Sequence, residues 1–247
     1  MVKLVNWLSL LGLAAALGSV AGALGSGLGT RFGWWHYRTG IATLGTVFWV
    51  ACGAAVACAL AAVLAMIVSR SRRALAIGLI GLVLAGVTAW VPYNLRMTAR
   101  AVPPIHDIST DLENPPLFVR VAALRSSEDH PVAYDGPAVA EMQRKGYPDL
   151  APLTVSMPPA RAFVAARAAL ESLGLEVVDA DAGQGRLEAV ATSMLFGFRD
   201  DVVVRLTPQG GATRVDVRSK SRVGRNDFGQ NAGRVRAILD KVKSAAG

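Results

Sequence analysis

The residues with chemical reach fall into two clusters and a turn. The first cluster is His106, Asp107, Asp111 and Glu113. A histidine beside carboxylates can bind a divalent metal, and a His–Asp pair can move protons. A zinc site, however, needs three or four ligands at defined spacing, and the chain has 3 histidines in all: His36, His106 and His130. The 2 cysteines, Cys52 and Cys58, share one apolar stretch, where helical geometry turns them about 240° apart. They cannot pair with each other, and the rest of the chain has no thiol for a nucleophile or metal site. Ser109 beside His106 has no third partner to complete a serine triad. No metal, no cofactor and no catalytic residue are therefore expected, and His106, Asp107 and Asp111 read as turn-capping and anchoring residues.

The second cluster is Arg218, Lys220, Arg222 and Arg225, where charged residues alternate with Val and Ser before a helix start. Free amides and a positive dipole end at such a start would suit an anion. From Arg199 onward the chain carries 11 basic and 5 acidic side chains, whereas residues 101–198 carry 7 basic and 13 acidic. Internal pairing explains both imbalances together: Asp107, Asp111 and Glu113 would neutralise arginines of the second half. The competing use is an anionic ligand such as a phosphate, carboxylate or lipid headgroup. Asp200-Asp201, after the bend at Phe196-Gly197-Phe198, are expected to start the next strand and meet Arg218 or Arg222 across a sheet.

The elements that must hold these residues begin at about Ala101. All 18 acids lie beyond residue 100, so the first hundred residues carry 8 basic side chains and no acid. The formal charge of +8 therefore belongs to the apolar part, which excludes a basic, nucleic-acid-binding surface. Three uncharged stretches, about Leu4–Gly25, Ile41–Val68 and Ala74–Leu95, are each long enough to cross a bilayer, which takes about 20 apolar residues. Arg70, Arg72 and Arg73 form a compact basic turn that resists translocation. The positive-inside rule then puts the later domain outside the cytoplasm. The expected location is a bacterial inner membrane, with the soluble domain on the periplasmic side of the envelope. Ala21-Gly22-Ala23 also fits a signal-cleavage site, which would leave two spans and the same placement. Small residues recur every fourth position (Ala14, Gly18, Gly22, Ser26; Gly53, Ala57, Ala61, Ala65; Gly81, Ala85, Ala89), suited to packing the helices on each other or into a homo-oligomer. Trp34, Trp35, Tyr37, Trp90 and Tyr93 read as an aromatic belt at one membrane surface.

Residues 101–247 read as one soluble domain. A Pro-rich extended segment leads in, a short helix follows near Ala138–Lys145, and a longer one opens at Pro158-Pro159 and stops at Gly174. Four strand-like runs come next: Leu175–Val178, Arg186–Met194, Asp201–Thr207 and Arg214–Val223. A final helix, capped near Asn226 or Asp227, is expected to bury Phe228, Val235, Ile238 and Val242. Short connections imply antiparallel pairing. The predicted class is α+β: three transmembrane helices, then a two-layer domain with an antiparallel sheet of about four strands. Helices would cover one face, and the other would be solvated and charged.

Several motifs of this part resemble a known family. They are Pro104-Ile105-His106-Asp107-Ile108-Ser109-Thr110-Asp111 with Asn114-Pro115-Pro116, Tyr147-Pro148, and Phe196-Gly197-Phe198-Arg199-Asp200-Asp201. Arg218-Ser219-Lys220-Ser221-Arg222-Val223-Gly224 with Asp227, Gly229, Asn231 and Arg234 completes the set. In this order they resemble the family of bacterial and plastid domains of unknown function 1499. The resemblance implies a fold and no activity, and it assigns no catalytic residue. The expected function is a membrane-anchored, non-catalytic binding or scaffold domain acting through its charged sheet face. The alternatives are a small hydrolase using His106, Asp107 and Asp200, and a lipid-contacting envelope factor.

Overall fold

The computed structural model describes residues 1–247, which form two compact units: Met1–Met97 with Met194–Gly197, and Thr98–Ser193 with Phe198–Gly247. In the first unit, helices α1 (Val2–Arg31), α2 (Tyr37–Leu64) and α3 (Arg72–Ala101) are each long and apolar enough to cross a membrane. Helix α2 ends in a single π-helical turn over Ala65–Ser69, and Arg70 takes a left-handed conformation (φ 49°) to reverse the chain. Helix packing here depends on missing side chains. A Cβ at Gly12 or Gly81 would lie 2.7 or 2.5 Å from Cys58 Sγ, so the thiol fills the space those two glycines leave. The interior of α1 is Val5, Ser9, Gly12, Ala16, Ser19, Ser26, Gly27 and Gly29. In α1 this departs from the every-fourth-residue stripe, because four residues overshoot one helical turn by about 40° and leave Ala14 and Gly18 exposed, whereas Ala61, Ala65, Gly81 and Ala85 of the other two stripes are buried.

The second unit is built on a mixed-length antiparallel sheet. Strands β3 (Glu176–Asp181), β4 (Arg186–Thr192), β5 (Arg199–Gln209) and β6 (Ala212–Ser221) form a meander. Two strands of three residues, β1 (Asp107–Ser109) and β2 (Leu153–Val155), add end to end along the far side of β6. The sheet thus has six strands instead of about four. Both additions sit among prolines, which edge strands tolerate because one row of their amides needs no partner. Helices α5 (Pro159–Ser172) and α6 (Gln230–Ser244) cover one face. There Val202, Val204, Leu206, Val215, Val217, Leu187 and Ala189 meet Ala162, Ala166, Leu170, Val235 and Ile238. The short helix α4 (Pro137–Gly146) contributes buried Gln143, whose side chain bonds the backbone of Ser109 in both directions. Phe228, expected in this core, instead precedes α6 and is 39% exposed.

The other sheet face departs most from expectation, because it is not solvated. Residues 110–135 fold back over it with a 3-10 turn at Val121–Leu124, and Phe118 and Val121 pack on Val190 and Val203. Of the charged side chains of β6, Asp216, Arg218 and Lys220 are consequently at 0% exposure, and Arg214 is part-exposed.

Candidate functional site

Strand alternation sorts the candidate residues by face. Asp107 on β1, Asp201 on β5, and Arg218 and Lys220 on β6 point into the layer under the 110–135 segment, where Arg222 just beyond β6 joins them. Asp107 accepts two hydrogen bonds from Arg218 (2.9 and 2.8 Å) and lies 3.2 Å from the Lys220 ammonium. Lys220 completes its shell with the Ala133 carbonyl (2.7 Å) and Asp135 (2.6 Å). Arg218 also donates to the carbonyls of Pro116 and Val132 and lies over the Phe118 ring. Arg222 pairs with Asp201 at 2.7 Å, Arg125 approaches the same carboxylate at 2.7 Å, and Arg222 donates to the Leu124 carbonyl. Buried charges are tolerable only when paired and hydrogen-bonded, and each of these is.

Asp111 lies toward the other end of this face, bridging Arg205 (2.9 Å) and Arg214 (2.8 Å), which also hold Asp216. Burial pushes the Asp111 carboxyl up, but the Asn114 and Glu113 amides and the two guanidiniums outweigh it and hold it below the usual carboxylate range. Glu113 itself is exposed. Arg225 is exposed beyond the end of β6 and is not part of the layer.

His106 stacks on His130, ring centroids 4.0 Å apart, with Nε2 3.3 Å from Asp135 but not aligned for a hydrogen bond. Burial, reinforced by His130, holds its pKa below the ordinary histidine value against the opposing pull of Asp135. Tyr134, half-buried near Asp107, has its hydroxyl pushed up to about 12, first by burial and then by that carboxylate. Of the three residues of the hydrolase reading, Asp107 is bound to Arg218, His106 stacks on His130 within reach of the Asp107 charge, and Asp200 points to the opposite sheet face. No group of three or more metal-ligating side chains is assembled.

On the helix-covered face the apolar alternation of β6 fails at Ser219 and Ser221, and a polar nest occupies the gap. Asn231 accepts from Ser219 Oγ (2.6 Å) and donates to Ser221 Oγ (2.9 Å) and to the His106 carbonyl (3.1 Å). Arg234 donates to Ser219 Oγ, to Asn231 Oδ1 and to Asp200 Oδ2 (2.8 Å). The start of α6 is filled from within, since Asp227 accepts the amides of Gly229 (2.9 Å) and Asn231 (2.8 Å). Burial, aided by nearby Asp200, raises the Asp227 pKa. Two of the amides at this helix start are thus already satisfied by an internal carboxylate.

Beside the nest a cleft of about 540 Å³ opens between the end of α5, the facing ends of β4 and β5, and the first turns of α6. Leu173, Leu175, Ala191 and Ala237 make its apolar wall, and Asp200 and Arg234 its charged one. Asp200 uses Oδ2 for Arg234 and leaves Oδ1 without a partner. Sequence reasoning missed Arg234 and Asn231 as site residues. The available signal was the pair of serines at inward positions of a strand otherwise apolar on that side.

A family model described as "Protein of unknown function (DUF1499)" matches residues 107–242. No curated protein matches the chain. Two solved structures show local similarity. TTHA0849 from Thermus thermophilus is 18% identical, covering 39% of this chain and 97% of that one, with a TM-score of 0.26. Ara h 8.0201 is 14% identical, covering 38% and 94%, also with a TM-score of 0.26.

Proposed function

The chain belongs to the DUF1499 family, and from that premise we propose that it is a membrane-anchored binding protein whose ligand site is the cleft at Asp200 and Arg234. The observation that carries this reading is a contrast between the two sheet faces. The charged face is covered by residues 110–135 and its ions are paired with one another, so polar atoms it leaves without a hydrogen bond, such as His106 Nε2 and the Tyr134 hydroxyl, are buried out of a partner's reach. The cleft has a volume typical of small-molecule sites, an apolar wall, and a carboxylate oxygen with no partner. Asp200 gives the polar end an open acceptor, and Arg234 is already committed to three acceptors of its own. The ligand that fits is an apolar body bearing a neutral or cationic group with hydrogen-bond donors, not an anion. The compact turn at Arg70, Arg72 and Arg73 supports placing the domain on the periplasmic side of a bacterial envelope.

Blocking the cleft tests this. A Cβ at Gly233 meets nothing within 4 Å, so Gly233→Phe projects a ring into open space without disturbing the helix. Full-length protein extracted in mild detergent should copurify a small molecule, identified by mass spectrometry, that Gly233→Phe loses while retaining its melting temperature. Equal retention by both proteins contradicts the assignment to this cleft.

A further inference from the structure

Helix α3 ends inside the second unit, so that unit contains the point where the third span leaves the membrane. One loop is bound to that point. Between β6 and α6, Asn226 Nδ2 donates to the Ala99 carbonyl at 3.0 Å, one of the carbonyls a helix end leaves without an internal partner. The same side chain accepts the Phe228 amide through Oδ1 at 2.7 Å and holds that residue at φ 56°. A non-glycine residue adopts this left-handed conformation only at an energetic cost, and such strain gathers at functional positions. Here the cost is incurred to keep an aromatic ring out of the core: Phe228 is 39% exposed, although Val235, Ile238 and Val242 of the adjacent helix are fully buried.

The charges around this ring share one sign. Arg100 follows Ala99 and Arg225 precedes Asn226, both exposed, and neither guanidinium makes a hydrogen bond or ion pair. The loop's acid, Asp227, is turned inward, 7% exposed and spent on two backbone amides. Two exposed, uncommitted arginines and one exposed aromatic ring, on a loop and a helix end that Asn226 ties together, match the chemistry of the bilayer interface. There aromatic rings lie at headgroup depth and guanidiniums meet phosphate.

We propose that Arg100, Arg225 and Phe228 form a contact site for the phosphate of an anionic phospholipid in the leaflet where α3 ends. The arginines hold the headgroup and Phe228 enters the level of the glycerol backbone. Asn226 is a positioning residue that fixes the loop to the helix end. This site is separate from the cleft and needs no occupant there.

The test is hydrogen exchange of the full-length protein in nanodiscs of phosphatidylcholine, with and without phosphatidylglycerol, followed in the peptide over residues 223–229. Phosphatidylglycerol should slow exchange there, by on the order of fivefold for each arginine engaged. High salt should remove the effect. The Arg100→Gln/Arg225→Gln variant, which breaks no internal contact, should exchange as the wild type does in phosphatidylcholine and show no response to phosphatidylglycerol. Equal exchange in both lipids, or a response that survives in the variant, overturns the proposal. Inorganic phosphate added to phosphatidylcholine nanodiscs should leave exchange unchanged. If it reproduces the protection, the site takes a soluble anion and the lipid assignment fails.

Discussion

Replacing Asp107 by alanine is the sharpest perturbation of the buried ionic layer. Asp107, Arg218 and Lys220 are all at 0% exposure, so no solvent can take over when the carboxylate is removed. Arg218 would lose two charge-assisted hydrogen bonds of 2.9 and 2.8 Å, while keeping the Pro116 and Val132 carbonyls and the ring of Phe118. Lys220 would keep Asp135 and the Ala133 carbonyl. Breaking a buried pair from one side costs about 3–5 kcal/mol, and the surviving contacts put this case near about 3 kcal/mol. At about 2–4 °C per kcal/mol for a domain of this size, the melting temperature should fall by about 6–12 °C. The assay is thermal unfolding of the full-length protein in detergent, followed by near-ultraviolet circular dichroism. Asp107→Ala combined with Arg218→Met removes both charges and should melt higher than Asp107→Ala alone, because no buried cation is left without its counter-ion. A single variant that melts within experimental error of the wild type, or strictly additive losses, would refute the view of this layer as a paired interior.

Three further outcomes follow from the same geometry. The pKa of His106 is depressed in the folded protein by burial and by stacked His130, so its contribution to stability is present above about pH 6.5, the unfolded value, and lost as pH falls through the folded one; the acid-side slope of melting temperature against pH should be shallower in His106→Gln, and an unchanged slope contradicts this. Gly81→Ala would press a methyl group against Cys58 Sγ and destabilise the helical unit by about 1–3 kcal/mol; adding Cys58→Ala should restore helix stability in detergent, and failure to do so would show that the sulfur is not the obstacle. An alkaline phosphatase fusion at residue 247 should be active in a bacterial host and a green fluorescent fusion dark, with the reverse pattern placing the domain in the cytoplasm.

The three long apolar helices were legible because composition alone decides them, and the meander β3–β6 because its strands alternate and its connections are short. Helix α5 was announced by its prolines and stopped at Gly174. Strands β1 and β2 were not legible: three residues among prolines carry no periodicity, and only pairing with β6 makes them strands. The larger misreading concerned β6. Alternating charge and apolarity reads as one buried and one solvated face, since local pattern cannot show that a segment about 90 residues earlier will fold over the charges. Asp200 and Asp201 looked like one acidic pair, yet adjacent strand residues point to opposite faces. Asp201 therefore joins the sealed layer, and Asp200 joins Arg234 at the cleft. Ser219 and Ser221, which mark the cleft's polar nest, were readable only as interruptions of an apolar row.

For the proposed binding function, the cleft and the charged sheet face are the two competing sites, and the geometry favours the cleft. Hydrogen exchange of the full-length protein, as purified and after exhaustive detergent washing to strip bound small molecules, compares the two directly. Washing should accelerate exchange in the segments that line the cleft, residues 189–193 and 229–237, and leave residues 110–135 unchanged. Acceleration confined to residues 110–135, with the cleft segments unaffected, would contradict this assignment and return the binding function to the charged face.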